Sequence, residues 1–396
     1  MSRVFVTGIG IISAVGTSVA ANRSALQSGK SGIGLTSNLN SRYAADLPFG
    51  AITMTTDAFR EKFGVADPGI TRTTLLALHA FSEAITDSGL TRAELSDPRM
   101  ALIGATTVGG MCLTDELYRD TTQPCNASPY LSSYDCASVN LFLHSRYRMN
   151  GFVTTINTAC SSSANSIQYG ARLIRNGLAD KAIVGGVDSL AKFTINGFHA
   201  LQILSPAACR PFDRNRAGLN LGEGAAFLVL EGEEALAGKR AYAELTGYCN
   251  TNDAFHPSAL SLQGDGPCLA MAGALQSAGL NPADIDFINT HGTATENNDE
   301  AESRAMLRLF GEVPPFASTK SYTGHTLGAA GAIEAVYSIL SLRHQELYPS
   351  LNFDEPIPGL ELQPIQEYQT GTIRHAMSNS FGFGGNCASL IFSNVN

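Results

Sequence analysis

Twice in this chain of 396 residues one short pattern returns: an apolar run, a turn crowded with small polar residues, then a helix. At the first, Phe152 to Ile156 reads as a buried strand, and Ala164, Ile167, Ala171 and Ile174 follow at helical spacing until Asn176-Gly177 supplies a stop. At the second, Phe316 to Thr319 is the strand and Leu327 to Leu342 the small-residue helix. A chain that builds one unit twice packs two α/β halves against each other, so the two stretches are expected to be counterparts about a pseudo-twofold axis. That symmetry would bring Cys160, on the first turn, toward His325, on the second.

The remaining apolar runs fit the same scheme. Arg3 to Gly8 reads as a strand ending in a glycine turn, 71–90 as a helix closed by Gly89, and Met100 to Ala105, Lys181 to Gly186 and Gly222 to Leu230 as strands. After residue 240 the order begins again: a strand at 240–247, a helix from Pro267 to Ala278, and strands at 285–289, 376–380 and 388–392. The expected division is an N-terminal half, 1–240, carrying Cys160, and a C-terminal half, 241–396, carrying the histidines. Residues 116–150, with Pro124 and Pro129, read as irregular and suited to a dimer interface or a pocket lining. Gly8 and Gly10 lack the third glycine of a dinucleotide loop, and Gly29-Lys30-Ser31 reads as a helix cap rather than the tail of a phosphate loop.

Composition narrows the function. Hydrophobic residues make up 44% and charged residues 15%, which a large interior requires, and a net charge of −9 argues against nucleic acid as the main partner. The eight cysteines form no C-x-x-C pair and are expected to be free thiols in a reducing cytosol. No apolar run has the length of a membrane span, so a soluble, cytoplasmic protein is expected.

Four loaded turns follow apolar strands: Asn157-Thr-Ala-Cys160, Asn289-Thr-His291-Gly-Thr-Ala-Thr295, Thr319-Lys320-Ser-Tyr-Thr-Gly-His325 and Asn379-Ser-Phe381-Gly-Phe383-Gly-Gly385. A lone cysteine or histidine is usually structural, but four such turns across both halves are hard to explain as packing. Cys160 stands between a strand and a helix, where the helix dipole is expected to favour the thiolate and lower its pKa.

Together with Pro211-Phe-Asp-Arg-Asn-Arg-Ala-Gly218, Gly222-Glu-Gly224 and Gly324-His-Thr-Leu-Gly-Ala-Ala-Gly331, these turns resemble the β-ketoacyl-acyl-carrier-protein synthases of the Cys-His-His kind, condensing enzymes of the thiolase superfamily. The resemblance implies two duplicated halves in a five-layer α-β-α-β-α core, usually dimeric. It makes Cys160 the acyl-accepting nucleophile, His291 and His325 the catalytic histidines, and Lys320 and Glu334 a supporting charged pair. The backbone N–H groups of Cys160 and Phe383 would form the oxyanion hole, with the Phe383 ring as a gate. Thr293 and Thr295 would contact the carrier's phosphopantetheine arm, and Phe381 the substrate. Val108 would line the acyl pocket, with 129–137 reaching it across the dimer. The implied reaction is decarboxylative Claisen condensation of malonyl-carrier with an acyl group on Cys160, with no metal and no cofactor beyond the arm that the acyl carrier protein brings. An acidic carrier cannot dock by net charge here, and the local basic run Arg210, Arg214 and Arg216 is the expected dock.

The family often closes its last motif Gly-Gly-Thr-Asn, whereas this chain has Gly385-Asn386-Cys387. Ser161-Ser162-Ser163 points toward synthases of specialised products such as polyenes or polyketides, and the dimer could pair two copies or one copy with a chain-length-factor-like subunit. A non-catalytic chain-length subunit would lack Cys160. A thiolase would want a second cysteine near the C-terminus, which Cys387 keeps open, although Lys320 with His325 favours the decarboxylating type. A serine hydrolase lacks its Gly-x-Ser-x-Gly elbow, and a redox sensor would not need the histidines.

Overall fold

Ten strands hydrogen-bond into one sheet in a computed structural model that describes residues 2–37, 39–122, 128–236 and 238–395. In chain order they are β1 (Val4–Ser13), β2 (Met100–Ala105), β3 (Val153–Ile156), β4 (Lys181–Asp188), β5 (Gly224–Gly232), β6 (Ala243–Asn252), β7 (Phe287–Asn289), β8 (Phe316–Ala317), β9 (His375–Phe381) and β10 (Asn386–Ser393). The spatial order is β8-β7-β9-β10-β6-β1-β5-β4-β2-β3. Its seam is narrow, because β1 and β6 pair only through Phe5 with Glu244 and Val6 with Ala243.

The strands on either side of that seam follow one plan. β1 pairs antiparallel with β5, β5 antiparallel with β4, and β4 and β2 run parallel out to β3. β6 pairs antiparallel with β10, β10 antiparallel with β9, and β9 and β7 run parallel out to β8. The third strand of each set feeds a central helix, α3 (Ser162–Arg175) after β3 and α7 (Ala330–His344) after β8. Every residue of α7 from Ala330 to Leu342 is buried, as a helix covered on all sides demands. Ile167, Ala171 and Ile174 of α3 share one apolar cluster with Ile333, Val336 and Leu340 of α7 and with strands of both halves. Outside lie α1 (Arg72–Ser88) and α2 (Ala137–Arg146) on one face, and α5 (Asp265–Ala278) and α6 (Glu296–Phe310) on the other, while α4 (Lys192–Ala200) follows β4. The result is the five-layer thiolase-like arrangement.

Three expectations need correction. β1 does not turn at Gly8 but runs on to Ser13. Its glycines are there for helix α1, since a Cβ on Gly8 would sit 2.6 Å from the Ala84 carbonyl oxygen and one on Gly10 2.1 Å from that of Ala80. The 116–150 stretch is not irregular throughout, because α2 lies within it and packs Val139 and Leu143 against the sheet. β3 is half-buried and stands at the edge of the sheet, with β2 its one strand partner among the described residues, and Phe152 before it is 49% exposed. Seven cysteines are free thiols, while Pro124 and Cys125 lie outside the described residues. Among the described residues no helix is long and apolar enough to cross a membrane.

Candidate active site

Four strand ends deliver the loaded turns to one place: β3 leads to Cys160, β7 to His291, β8 to Lys320 and His325, and β9 to Phe383. This is the carboxyl end of the parallel strands, where open α/β sheets collect their ligands.

The nucleophile turn is strained and tied. Ala159 takes φ +53°, a left-handed conformation that costs a non-glycine residue on the order of 1–3 kcal/mol. Ser162 holds the bend by accepting the Thr158 N–H at 2.8 Å and donating to the Ala159 carbonyl at 2.5 Å. Ser161 donates to the Asn386 side-chain oxygen at 2.7 Å, and Asn165 and Asn250 donate to the same oxygen at 2.8 and 2.7 Å. The unusual Asn386 therefore binds the last loop to the nucleophile turn. Cys387 is buried and donates to the Gly385 carbonyl at 3.4 Å.

His325 Nε2 lies 3.0 Å from the Cys160 sulfur, and the reactive atoms of Cys160, His291 and His325 all fall within 4.8 Å of one another. The Phe383 backbone N–H also points at the sulfur. Behind the pair, Lys320 Nζ contacts His291 Nδ1 at 3.2 Å, donates to the His291 carbonyl at 2.6 Å and closes a tight, fully buried ion pair with Glu334. An ammonium only donates, so His291 Nδ1 must accept and its proton sits on Nε2. His325 Nδ1 is buried with no hydrogen-bond partner among the described residues, so no described protein group fixes its tautomer.

The expected low-pKa thiolate is corrected here. Burial pushes the Cys160 thiol up to about 11, and the opposing pull of Lys320 and the Phe383 N–H does not overcome it. Burial, with Lys320 nearby, pushes both His291 and His325 well below their ordinary 6.5, so both rings are neutral. The resting pair is a thiol beside a neutral imidazole. Alkylation of Cys160 by iodoacetamide should therefore climb with pH toward about 11, since the thiolate is the reactive form. A rate already level from about pH 6 would contradict the assignment.

Cys160 opens onto two cavities. One, of about 430 Å³, is lined by His291, His325, Thr293, Thr295, Phe381 and Phe383 among others. The other, of about 460 Å³ and mostly apolar, is lined by Met111, Phe193, Phe198, Leu201, Leu327 and Phe383 among others. The Phe383 ring lies on the boundary and stacks on Phe198 at 5.8 Å. Thr293 and Thr295 touch through their hydroxyls at 2.8 Å, and the Phe381 ring lies 5.8 Å from His291.

Two expected placements have neighbours that the sequence did not show. Val108 lines neither cavity; its N–H donates to Asp188 at 2.9 Å, and its side chain joins Leu190, Ile195, Leu219 and Leu327 in the core beneath. The arginine run is no free basic patch. Arg210 pairs with Asp354, Arg214 with Glu355 at 3.1 Å, and Arg216 donates to the carbonyls of Thr295 at 3.3 Å and Glu296 at 2.9 Å.

Sequence reasoning missed the carboxylates beneath the site. Asp188, fully buried, accepts the Thr106 and Thr107 hydroxyls at 2.6 Å and the Gly328 N–H at 2.7 Å, joining the turns after β2 and β8. Glu302, pushed up to about 7 by burial, holds the N–H groups of His291 and Gly292 at 2.9 Å each. Their one signal was an acid at the end of a buried strand or on an inward helix face. Gly382 was also missed: a Cβ there would lie 2.7 Å from the Thr158 oxygen and 3.1 Å from the Cys160 nitrogen. Gly382→Ala should push the Phe383 N–H off the sulfur and cut acyl transfer about 10²–10³-fold, the cost of one lost oxyanion donor. Burst kinetics would show it, and wild-type amplitude and rate would contradict that role.

Residues 1–235 match the family description "Beta-ketoacyl synthase, N-terminal domain", and residues 242–354 match "Beta-ketoacyl synthase, C-terminal domain". The chain belongs to the β-ketoacyl synthase family. Among curated family members it is 34% identical to "3-oxoacyl-[acyl-carrier-protein] synthase 2" of Coxiella burnetii over 414 residues, covering 99% of each chain. Among solved structures it is similar to "The ishigamide ketosynthase/chain length factor" at a TM-score of 0.93 and 30% identity, over 100% of both chains. It is similar too to "Ketosynthase (ApeO) in Complex with its Chain Length Factor (ApeC) from Xenorhabdus doucetiae", at a TM-score of 0.86 and 31% identity, over 100% of this chain and 98% of that one. In this chain Cys160, which follows β3, and the paired histidines, which follow β7 and β8, are brought together at one site.

Proposed function

We propose that this protein is a β-ketoacyl-acyl-carrier-protein synthase that carries the growing acyl group on Cys160. The observation that supports it most is the 3.0 Å contact of the Cys160 sulfur with a neutral, untethered His325 at the junction of two cavities. In acyl transfer, His325 Nε2 takes the thiol proton while the sulfur attacks the carrier-bound thioester. The N–H groups of Cys160 and Phe383 hold the tetrahedral oxyanion. The C–S bond to the carrier breaks, and His325 returns the proton to the leaving pantetheine sulfur.

Malonyl-carrier then occupies the cavity of Thr293 and Thr295. Its carboxylate leaves as carbon dioxide, and the electron pair passes to the thioester oxygen as an enolate held by Nε2–H of His291 and of His325. His291 is fixed in that tautomer by Lys320. His325 serves both steps because its Nδ1 is unconstrained. The enolate carbon attacks the acyl-Cys160 carbonyl, the C–S bond to Cys160 breaks and the thiolate takes up a proton from solvent to restore the resting thiol, which gives a β-ketoacyl carrier two carbons longer. The division of labour follows the halves 1–240 and 241–396, nucleophile in one and histidines in the other.

The partner is an acyl carrier protein, which brings the phosphopantetheine arm, and the setting is fatty-acid or polyene and polyketide synthesis in the cytoplasm. Phe193 at 61% and Leu201 at 50% exposure leave the apolar cavity open on one side. A second subunit of the same fold, identical or chain-length-factor-like, would close it with its own 129–137 segment. Incubation with hexanoyl carrier and malonyl carrier, read by intact mass of the carrier, should give the β-ketoacyl carrier. Carbon dioxide release without that product would overturn the reading.

A further inference from the structure

The two N–H groups assigned to the oxyanion come from different halves of the chain, Cys160 on the turn after β3 and Phe383 on the loop after β9. The 382–385 loop is tied almost entirely to its own half. Gly382 N–H donates to the Asn386 carbonyl at 2.7 Å, Gly384 N–H to the Pro257 carbonyl at 2.7 Å, and Asp253 N–H to the Gly385 carbonyl at 2.8 Å. The Asn252 side chain donates to the Gly384 carbonyl at 3.0 Å. Across the halves the ties are few. Apart from the Phe383 N–H on the sulfur, the hydrogen bonds among the described residues that join 157–165 to 381–386 come from Ser161 Oγ and Asn165 Nδ2. Both end on one atom, Asn386 Oδ1.

That atom is held from behind. Asn250 Nδ2 donates to it at 2.7 Å, and Asn250 Oδ1 accepts Asn386 Nδ2 at 3.3 Å, so the amide oxygen is turned toward the nucleophile. Its two partners also grip the turn they belong to. Ser161 Oγ lies 2.7 Å from the Thr158 carbonyl oxygen, and Asn165 Nδ2 donates to Thr158 Oγ1 at 2.8 Å. An oxyanion hole works only while both of its donors reach the place where the charge develops, so a small slip between the two turns disarms it.

We propose that Asn386 is a positioning residue whose side-chain oxygen sets the spacing between the Cys160 and Phe383 N–H groups. It rests on the reading of Cys160 as the acyl-bearing residue. Asn386 acts through Ser161 and Asn165, not on the reacting atoms. Its effect is selective. Acyl transfer to Cys160 and attack of the enolate on acyl-Cys160 both pass through a tetrahedral oxyanion in that hole. Loss of carbon dioxide instead places its charge on the oxygen that faces His291 and His325. Asn386 therefore serves the first and last steps and not the middle one.

The test is single-turnover acylation by hexanoyl carrier, read by intact mass, beside carbon dioxide release from malonyl carrier alone. Asn386→Leu is close in size and lacks the acceptor. It should slow acylation at saturating carrier about tenfold to a hundredfold, short of the outright loss of a donor. The half-saturating carrier concentration and the rate of carbon dioxide release should stay near wild type. Asn386→Asp keeps the oxygen and should recover most of the rate, since Asn250 is exposed and can turn its own amide aside. In a Ser161→Ala background Asn386→Leu should cost less than in the wild type, because part of the clamp is already gone. Ser161→Ala alone should show the same split in smaller measure, which keeps the test open where Asn386→Leu does not fold. Carbon dioxide release that falls in step with acylation, acylation at wild-type rate in Asn386→Leu, or an Asn386→Asp no better than Asn386→Leu overturns the proposal. No hexanoyl adduct on the wild type would instead overturn the role of Cys160 itself, and the clamp with it.

Discussion

His325→Ala will slow acyl transfer to Cys160 by about 10²–10⁴-fold, the usual contribution of a positioned general base. The reason is burial: with its thiol at about 11, Cys160 is almost wholly protonated at neutral pH and needs an acceptor for that proton. His325 Nε2, 3.0 Å away and neutral, is that acceptor. His291→Ala should behave differently. Its Nε2–H serves the enolate, so decarboxylation should fall by about 10²–10³-fold while acyl transfer suffers far less. Single-turnover assays that follow acyl-enzyme formation and carbon dioxide release separately would resolve the two. Equal loss of both steps in both variants would remove the division of roles.

Lys320→Met will destabilise the fold and impair decarboxylation together. Breaking a buried ion pair by removing one partner costs about 3–5 kcal/mol, and Lys320 and Glu334 are respectively 2% and 3% exposed. The pH dependence has a definite sign. Burial raises Glu334 from 4.5 to about 7 even with Lys320 holding it down, and losing Lys320 raises it further. A carboxyl whose folded pKa is raised contributes its full stability below the unfolded value, and that contribution fades as pH rises through the folded value. The melting temperature of Lys320→Met should therefore lie near wild type at about pH 5 and well below it at about pH 8. His291 would also lose the donor that fixes its tautomer. A variant whose melting deficit is the same at both pH values would show that Glu334 does not titrate there.

Much of this was legible in the sequence because the fold repeats a local unit. The apolar run at 100–105 became a strand at those bounds, that at 316–319 a strand over its first two residues, and Gly89 and Gly279 ended helices in the left-handed conformation. The meeting of Cys160 with His325 followed from the repetition alone. What escaped was whatever depends on distant neighbours. Gly8 and Gly10 look like a turn until helix α1 is laid across them. Arg210 and Arg214 look like a free basic run until Asp354 and Glu355 arrive from more than a hundred residues away. Asp188 and Glu302 look like surface acids until the turns they hold close over them. The pKa of Cys160 was misjudged because a helix N-terminus is visible in sequence and complete desolvation is not.

The central claim is that Cys160, and no other cysteine, carries the acyl group. Cys209, Cys249, Cys268 and Cys387 are all pushed upward by burial too, so pKa alone does not single out Cys160. What does is its place beside His325 and the Phe383 N–H, open to both cavities. The most direct measurement is peptide mapping by mass spectrometry after incubation with hexanoyl carrier alone. The acyl mass should appear on the peptide containing Cys160 and vanish in Cys160→Ala; an adduct on the Cys387 peptide, or one that persists in Cys160→Ala, would contradict the account.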